Sequence, residues 1–287
     1  MKRAGFLLCS IAVMLLAGCS WLPWGSKDEA PPAATAGPVA AAVKKADRRP
    51  PNTIRAGMAA NYPPLSFRED GRFVGIEVDL ARELVRESGL RITIRQMPWS
   101  ALIPALQAGK IDVIMSGMAV TDARAAQFAF VEPYLRTGQM ALVREQDAAR
   151  LGPPARLRDP GRRIAVVRGS SGEEYVRRSL RQAEIVVFAD SDAAAAALAK
   201  GRVDYFIHDA PSIWHFGMVN TPGAAGLVGL YTPLTEEYLA WAVRKDDPQL
   251  KAKLDAAVLA MKQRGVVDAI VRRWIDTQVD VTPVRPN

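Results

Sequence analysis

Residues 110–135 have the sequence KIDVIMSGMAVTDARAAQFAFVEPYL, in which a predicted strand, a turn and a predicted helix start follow one another. The stretch begins with the apolar run IDVIM, which is typical of a buried strand, and the chain then turns at Gly117. Thr121, Asp122 and Arg124 follow at the predicted start of a helix. The planar guanidinium of Arg124 matches a carboxylate through two parallel hydrogen bonds, which a lysine cannot form. The stretch therefore predicts a strand–helix unit with an anion-binding side chain after the strand.

Strands and helices alternate before this stretch. Residues 53–58 and 91–97 are predicted strands, and the helix between them ends at Gly89. Ser100 is predicted to cap the next helix, which stops at Gly109. The apolar residues that share one face of the first helix are Ile76, Leu80, Ala81, Leu84 and Val85. This pattern predicts a βαβ unit.

The same alternation returns after residue 160. The runs RIAVV, EIVVF and VDYFI are predicted strands separated by helices, and Ser191 is predicted to cap one of these helices. Near the end of the chain, Asp247 and Pro248 mark another helix start. Because the alternation occurs in two separate series, the sequence predicts an α/β protein with two lobes.

Polar groups follow predicted strands at three places, where α/β sheets bind their ligands. The three stretches are SGMAVTDAR (116–124), GSSG (169–172) and HDA (208–210). Gly117 lets the backbone approach a ligand closely. Arg124, Ser170 and Ser171 offer groups that hold a carboxylate, and Asp209 can face an ammonium. Together these groups predict a binding site for a zwitterion.

Each of these groups also has an ordinary structural interpretation. Taken alone, Arg124 is more typical of an exposed helix surface, and GSSG is typical of a helix N-cap. Asp209 is also suited to capping the helix that begins near Pro211. The residues by themselves leave both interpretations open.

From about residue 53 to 278 the chain resembles the bacterial extracellular solute-binding proteins of family 3, the amino-acid-binding proteins of ABC uptake systems. The motifs that carry the resemblance are AANYPPLSF, GRFVGIEVDLARELV, PWSALIPALQAGKIDVIMSGMAVTDAR, FVEPYLRTGQ, GRVDYFIHDA and LAWAVRKDDPQLKAKLDAAVLAMKQRG. The resemblance implies a periplasmic-binding-protein-like fold of type II, in which two α/β lobes are joined by two hinge strands near 136–140 and 236–240. Lobe 1 is expected to comprise 52–137 and 238–280, lobe 2 to comprise 138–237, and 281–287 to form a tail.

The resemblance also implies roles for individual residues. Arg124 would hold the α-carboxylate, and Asp209 would pair with the α-ammonium beside the carbonyl of Gly117. Tyr62 and Trp99 would sandwich the ligand side chain, although both are also typical core aromatics. The complete expected ligand-binding set is Tyr62, Trp99, Ser116, Gly117, Met118, Ala119, Arg124, Ser170, Ser171 and Asp209.

Two positions depart from the family pattern. Many members carry Ser or Thr where this chain has Ala119, so one hydrogen-bond acceptor for the ammonium is missing. Members that select cationic side chains often have an acid where Ala59 stands. Because a buried lysine or arginine side chain without a partner is costly, Ala59 leads us to expect a neutral ligand, polar or aromatic.

The N-terminus is predicted to be an export signal. Residues 1–18 combine the basic MKR with a short apolar segment, and Leu16-Ala17-Gly18-Cys19 resembles the lipobox of bacterial lipoproteins. The resemblance implies cleavage before Cys19 and lipidation of its thiol. Residues 19–51 then form a Pro- and Ala-rich tether, with a reach of about 30 Å as an unstructured coil. We expect the lipid to be the only membrane attachment, on the periplasmic side, and on the outer membrane if the host is Gram-negative, since Ser20 is not Asp.

Composition argues against several other functions. Of the formal charge of +8, residues 1–49 hold +4, and no basic stripe remains that would indicate nucleic-acid binding. Two histidines, and no cysteine after Cys19, argue against a metal site, and no cofactor is expected.

An enzyme resembling cyclohexadienyl dehydratase remains an alternative, with Glu173, Glu174 or His208 as the acid. So does a lipid-tethered sensor. The favoured interpretation is a monomeric, non-catalytic binding protein that serves an ABC permease.

Overall fold

A computed structural model describes residues 50–219, 223–275 and 282–284. The predicted signal peptide, Cys19 and nearly all of the tether lie outside these residues. The strands are β1 Thr53–Met58, β2 Asn61–Tyr62, β3 Ser66–Glu69, β4 Arg72–Val74, β5 Arg91–Gln96, β6 Val113–Ile114, β7 Phe128–Phe130, β8 Leu135–Thr137, β9 Gln139–Arg144, β10 Arg163–Val167, β11 Glu184–Phe188, β12 Tyr205–Asp209, β13 Leu227–Leu230, β14 Glu237–Leu239, β15 Ala242–Arg244 and β16 Thr282–Pro283. The α-helices are α1 Ile76–Ser88, α2 Trp99–Gln107, α3 Asp122–Ala125, α4 Ala148–Leu151, α5 Ser171–Ser179, α6 Ser191–Ala199, α7 Ala210–Met218, α8 Pro248–Gln263 and α9 Val266–Trp274.

Two mixed five-stranded sheets form the two lobes. The first has the order β5-β1-β6-β15-β7, in which β1 runs parallel to β5 and β6 while β15 is antiparallel to β6 and β7. The second has the order β11-β10-β12-β9-β13, in which β10 runs parallel to its neighbours and β9 is antiparallel to β12 and β13. The predicted two-lobed α/β fold is therefore confirmed.

The chain passes between the lobes twice, and the two passages lie side by side. Strand β8 leads from the first sheet toward the second, and β14 leads back. The two strands pair antiparallel, with Arg136 opposite Tyr238. A polar group on either passage therefore lies where the two lobes meet.

The βαβ unit has the predicted helix, with its buried face slightly rotated. Ile76, Leu80 and Leu84 are fully buried, but Val85 is 40% exposed, which corrects the predicted face. The buried face of α1 includes Glu77 and not Val85. Glu77 is fully buried, and its carboxylate accepts hydrogen bonds from three groups of the protein interior. Gly89 ends the helix in a left-handed conformation, as its sequence position predicts.

Two predicted helix caps differ in the structure. Helix α2 begins at Trp99 after Pro98, so Ser100 lies inside its first turn. In α6 the cap is Asp190, whose carboxylate accepts from the N–H of Ala193. The Ser191 hydroxyl is used elsewhere, since it donates to the carbonyl of Asn61 in the other lobe.

Across the residues that the structure describes, no helix has the length and apolar character needed to span a bilayer.

Candidate ligand-binding site

A cavity lies between the two lobes, at the ends of their strands. It encloses about 450 Å³ free of protein atoms, including its opening to solvent. Its lining residues are Ala59, Asn61, Tyr62, Trp99, Gly117, Ala119, Arg124, Gln139, Val167, Ser170, Ser171, Asp190, Ser191, His208 and Asp209. The three stretches singled out in the sequence thus converge on one cavity.

Two of the expected ligand-binding residues do not line this cavity. Ser116 is fully buried, and its hydroxyl accepts from the N–H of Ala59, so it holds two neighbouring backbone segments together. Met118 packs in an apolar cluster with Leu102 and Phe128. Because the chain turns between these residues, Gly117 and Ala119 face the cavity and their neighbours do not.

Arg124 is a buried side chain, not an exposed helix residue. It is 7% exposed, and its guanidinium donates to the carbonyls of Ala119 (2.8 Å) and Gly169 (3.1 Å). The guanidinium also lies 5.7 Å from the ring centre of Trp99. Burial lowers the pKa of Arg124, and the charges of Glu237 and Glu174 partly oppose that effect. No carboxylate among the described residues forms an ion pair with Arg124, so a buried positive charge faces the cavity with only carbonyls as acceptors.

Asp209 is the buried negative group of the same cavity. It is 3% exposed and caps α7 by accepting from the N–H of Ser212 at 3.2 Å, as the alternative interpretation predicts. Its other oxygen accepts from the hydroxyl of Tyr62. Burial raises the pKa of Asp209 to about 7, and the charge of Glu237 adds to the shift. Within the described residues no cation pairs with Asp209.

His208 does not supply a cation to Asp209. Its Nδ1 lies 2.9 Å from the main-chain nitrogen of Asp209 and 3.0 Å from Oδ1 of the same residue. Burial lowers the pKa of His208 to about 3, so the ring is neutral at physiological pH. The imidazole ring beside the carboxyl of Asp209 therefore carries no charge.

The start of α5 forms another side of the cavity. The hydroxyl of Ser170 caps the helix by accepting from the N–H of Glu173, which leaves its proton available to a ligand. The main-chain N–H of Ser170 bonds to the carbonyl of Val167 and is not directed at the cavity. The hydroxyl of Ser171 donates to Glu237 at 2.9 Å, so its proton is already engaged. The expected contact of Ser171 with a carboxylate thus requires either its main-chain N–H or a rearranged hydroxyl.

Tyr62 and Trp99 form one wall of the cavity. Their ring centres are 5.8 Å apart with an interplanar angle of 78°, an edge-to-face contact. Two ring faces that enclose a planar group lie roughly 7 Å apart, twice a contact distance of about 3.5 Å. The two rings therefore touch each other in this arrangement, and a sandwich around a ligand remains a prediction.

Gly117 is required at its position for two reasons. It has a φ of +61°, and an added Cβ would lie 2.2 Å from Cδ1 of Leu65. Its N–H donates to the buried carboxylate of Glu77, which also accepts from Tyr134 and Trp241. Sequence reasoning missed Glu77; the only signal was an acid within the apolar pattern of α1. This network fixes the backbone that borders the cavity.

Hydrogen bonds join the lobes around the cavity. Trp99 and Arg124 of the first lobe both donate to the carbonyl of Gly169 in the second. The hydroxyl of Ser212 donates to the carbonyl of Pro63 at 2.9 Å. With the Tyr62 contact to Asp209, these bonds describe two lobes that have closed over the cavity.

Sequence reasoning also missed several residues that line the cavity. These are Asn61, Gln139, Val167, Asp190 and Ser191. Asp190 follows β11 closely, so the strand-end rule that selected Asp209 could have found it. Gln139 begins β9 directly after the passage between the lobes, and no local pattern distinguishes it. All of these residues except Val167 add a polar side chain to the cavity lining.

Two of the three candidate catalytic acids lie outside the cavity lining. Glu173 accepts from the N–H of Gly169 and pairs with Arg177 at 2.7 Å. Glu174 lies 3.7 Å from Arg178. His208 does line the cavity, but its low pKa leaves it without a proton to donate as an imidazolium near neutral pH.

Comparisons with known proteins agree with this geometry. The sequence model of the bacterial extracellular solute-binding proteins, family 3, matches residues 54–277. The L-arginine-binding protein of Pseudomonas aeruginosa is 30% identical, over 79% of this chain and 89% of the relative. The solved structure of an ancestral amino-acid-binding protein, a precursor of cyclohexadienyl dehydratase, is 31% identical with a TM-score of 0.72, over 78% of this chain and 96% of the other. An ancestral arginine-binding protein bound to glutamine is 29% identical with a TM-score of 0.70, over 79% and 99% of the chains.

Proposed function

This chain belongs to the bacterial extracellular solute-binding proteins of family 3, and we propose that it captures an α-amino acid between its two lobes. One observation carries the proposal. Buried Arg124 and buried Asp209 line the same cavity, and neither has a partner of opposite charge among the described residues. An uncompensated buried charge is costly, so the cavity is completed by a ligand that carries both a carboxylate and an ammonium.

Each charge has a matching group on an α-amino acid. The guanidinium of Arg124 and the hydroxyl of Ser170 would donate to the α-carboxylate. Asp209 and the carbonyl of Gly117 would accept from the α-ammonium. Closure of the lobes removes water from these contacts and so strengthens them.

The charges that line the cavity also indicate the charge of the ligand side chain. The expectation of a neutral ligand rests on Ala59, but Asp190 brings an acid to the cavity from the other lobe. After a zwitterion has neutralised Arg124 and Asp209, the carboxylate of Asp190 remains. The proposed ligand therefore has a cationic side chain. The similarity of this chain to an L-arginine-binding protein supports that charge.

The proposed context is uptake through an ABC permease. The proposal includes lipidation at Cys19 and anchorage of the exported domain on the periplasmic side of a membrane, on the outer membrane if the host is Gram-negative. Family membership supports an extracytoplasmic role. A lipid-tethered sensor with the same ligand is the alternative, and loss of uptake on deletion of the chain would distinguish transport from sensing.

A second candidate is a dehydratase that uses the same cavity. Its support is the likeness to a precursor of cyclohexadienyl dehydratase, together with a carboxyl of raised pKa at Asp209. Against it, Glu173 and Glu174 form ion pairs away from the cavity lining. We therefore favour binding without turnover.

One experiment separates these functions. The purified domain is mixed with a panel of L-amino acids and with prephenate, and melting temperature and product formation are followed together. The proposal expects a higher melting temperature with an amino acid and no loss of prephenate. Turnover of prephenate, or no stabilisation by any amino acid, would contradict it.

A further inference from the structure

The side chain of Gln139 occupies a defined place beside Asp209. Gln139 begins β9, and in the antiparallel pair with β12 it lies directly opposite Asp209. Side chains of directly opposed residues project on the same face of a sheet, with Cβ atoms about 5 Å apart. Gln139 is 1% exposed and lines the cavity. Its amide is therefore a buried polar group next to the proposed ammonium site.

Glu237 fixes which way the amide of Gln139 faces. The amide nitrogen donates to the hydroxyl of Ser171 (3.1 Å) and to Oε2 of Glu237 (3.1 Å). Turning the amide over would place its oxygen against that carboxylate oxygen, and two acceptors at this distance repel. The nitrogen of Gln139 is therefore held toward Glu237, and its oxygen is held on the opposite side.

The amide oxygen of Gln139 has no hydrogen-bond donor among the described residues, although it is fully buried. A Cβ at position 172 would lie 2.7 Å from this oxygen, so Gly172 leaves it room. A buried acceptor without a donor is destabilising, because it has lost its hydrogen bonds to water and gained none in return. The oxygen is buried, has no donor among the described residues and belongs to a side chain that lines the cavity, which indicates a donor supplied by the ligand.

We propose that the amide oxygen of Gln139 accepts a hydrogen bond from the α-ammonium of the ligand, and that Glu237 is the positioning residue that presents this oxygen. The inference rests on the proposed function. An ammonium has three N–H donors, and Asp209, the carbonyl of Gly117 and Gln139 provide three acceptors. Gln139 thus replaces the hydroxyl that Ala119 lacks.

Glu237 is itself held at the passage between the lobes. It begins β14, and its Oε1 accepts from the hydroxyl of Thr235 at 2.9 Å. The same hydroxyl accepts from the main-chain N–H of Gln139 at 2.8 Å. Gln139 is therefore held through both its side chain and its backbone by side chains of the returning passage.

The test compares a ligand with its analogue that lacks only the α-amino group. The pairs are arginine with 5-guanidinopentanoate, lysine with 6-aminohexanoate, and glutamine with glutaramate, and calorimetry uses the pair whose amino acid binds the wild type most tightly. Gln139→Met, which keeps the length of the side chain but removes both polar atoms, should weaken the amino acid about ten- to a hundredfold. The same variant should leave the affinity of the analogue within about twofold.

Glu237→Gln provides the second variant. It removes the charge that orients the amide, so it should weaken the amino acid by less than Gln139→Met while again sparing the analogue. Glu236→Gln is the matched control, because Glu236 undergoes the same change one residue away, where its carboxylate accepts from Tyr238. This control should affect neither ligand. If Gln139→Met lowers the melting temperature too far for calorimetry, Gln139→Leu, which also lacks both polar atoms, is measured in its place.

Failure of the inference differs from failure of the proposed function. If no amino acid binds the wild type, the proposed function fails and the inference falls with it. If the wild type binds an amino acid but the variants weaken the amino acid and its analogue equally, or weaken neither, then Gln139 is structural and the inference alone is overturned.

Discussion

The buried guanidinium of Arg124 and the buried carboxyl of Asp209 are the two residues on which the proposed function depends. Both could be proposed from the sequence, because each follows a predicted strand. Their burial, and the absence of an ion-pair partner for either one in the described part of the chain, could not be foreseen, since both depend on how the two lobes close. At the scale of the residue, a buried charge without an ion-pair partner distinguishes a binding site from a helix cap or a surface charge.

Replacing Arg124 with lysine tests the carboxylate site. Arg124→Lys keeps the positive charge but loses the planar pair of donors, so affinity for the amino acid should fall on the order of a hundredfold. Calorimetry measures the loss, and Arg177→Lys, at an exposed ion pair, is the control. Unchanged affinity would remove Arg124 from the site.

The raised pKa of Asp209 makes binding depend on pH. Without ligand the carboxyl has a pKa of about 7, and an ammonium beside it favours the ionised form, so binding releases a proton. Affinity should therefore rise with pH through this range and weaken by up to about tenfold per unit as pH falls below it. His208, which remains neutral, contributes nothing to the slope in that range.

Asp209→Asn should flatten this profile and weaken the amino acid while leaving the analogue without the amine nearly unchanged. Calorimetry from pH 5 to pH 8 gives the comparison. A wild-type affinity independent of pH, or equal losses for both ligands, would mean that Asp209 only caps its helix.

Asp190 determines the expected preference for charge. Arginine and citrulline have nearly the same shape but differ in charge, so the wild type should bind arginine about tenfold more tightly, consistent with a partly screened ion pair. Asp190→Asn should remove most of that difference without changing the affinity for citrulline. If the wild type binds citrulline at least as tightly as arginine, the neutral preference expected from Ala59 stands instead.

At the scale of the element, helix α1 shows what patterns can and cannot predict. Its periodicity located the buried face through Ile76, Leu80 and Leu84, but the buried acid at Glu77 depends on Gly117, Tyr134 and Trp241, which come from distant segments. The choice of a helix N-cap likewise depends on contacts that local sequence does not show. In the adjacent pair Asp190 and Ser191 either residue can cap a helix, and the choice follows from the contact of Ser191 with Asn61.

Glu77 should be essential for the backbone beside the cavity. Glu77→Gln leaves at least one of three buried donors without an acceptor, so unfolding free energy should fall by about 2 kcal/mol. Chemical denaturation measures the change. Glu83→Gln is the control on the same helix, because the pair of Glu83 with the exposed Arg86 should be worth less than about 1 kcal/mol. Equal losses for the two variants would contradict a special role for Glu77.

At the scale of the whole molecule, the sequence sufficed to predict two α/β lobes and eight of the ten expected residues at the cavity. The remaining parts of the site depend on pairs far apart in the chain. The orientation of Gln139 is determined by Glu237, 98 residues later, across the passage between the lobes. Such a contact leaves no trace in local periodicity or composition.

The proposed anchor belongs to the same scale. If the host sorts lipoproteins by the residue after the lipidated cysteine, Ser20 should direct the chain to the outer membrane, and Ser20→Asp should retain it at the inner membrane. Fractionation of native membranes on a sucrose gradient tests this. Wild type found with inner-membrane markers would contradict the outer-membrane proposal and place the domain within reach of a permease.

A crystal structure of the domain with the amino acid that stabilises it most would show directly whether Arg124 and Asp209 hold the ligand. The structure should show both carboxylate oxygens of the ligand at hydrogen-bond distance from the guanidinium or from the start of α5, and the α-nitrogen at Asp209. A ligand bound outside this cavity, or bound in it with its carboxylate away from Arg124, would contradict the account.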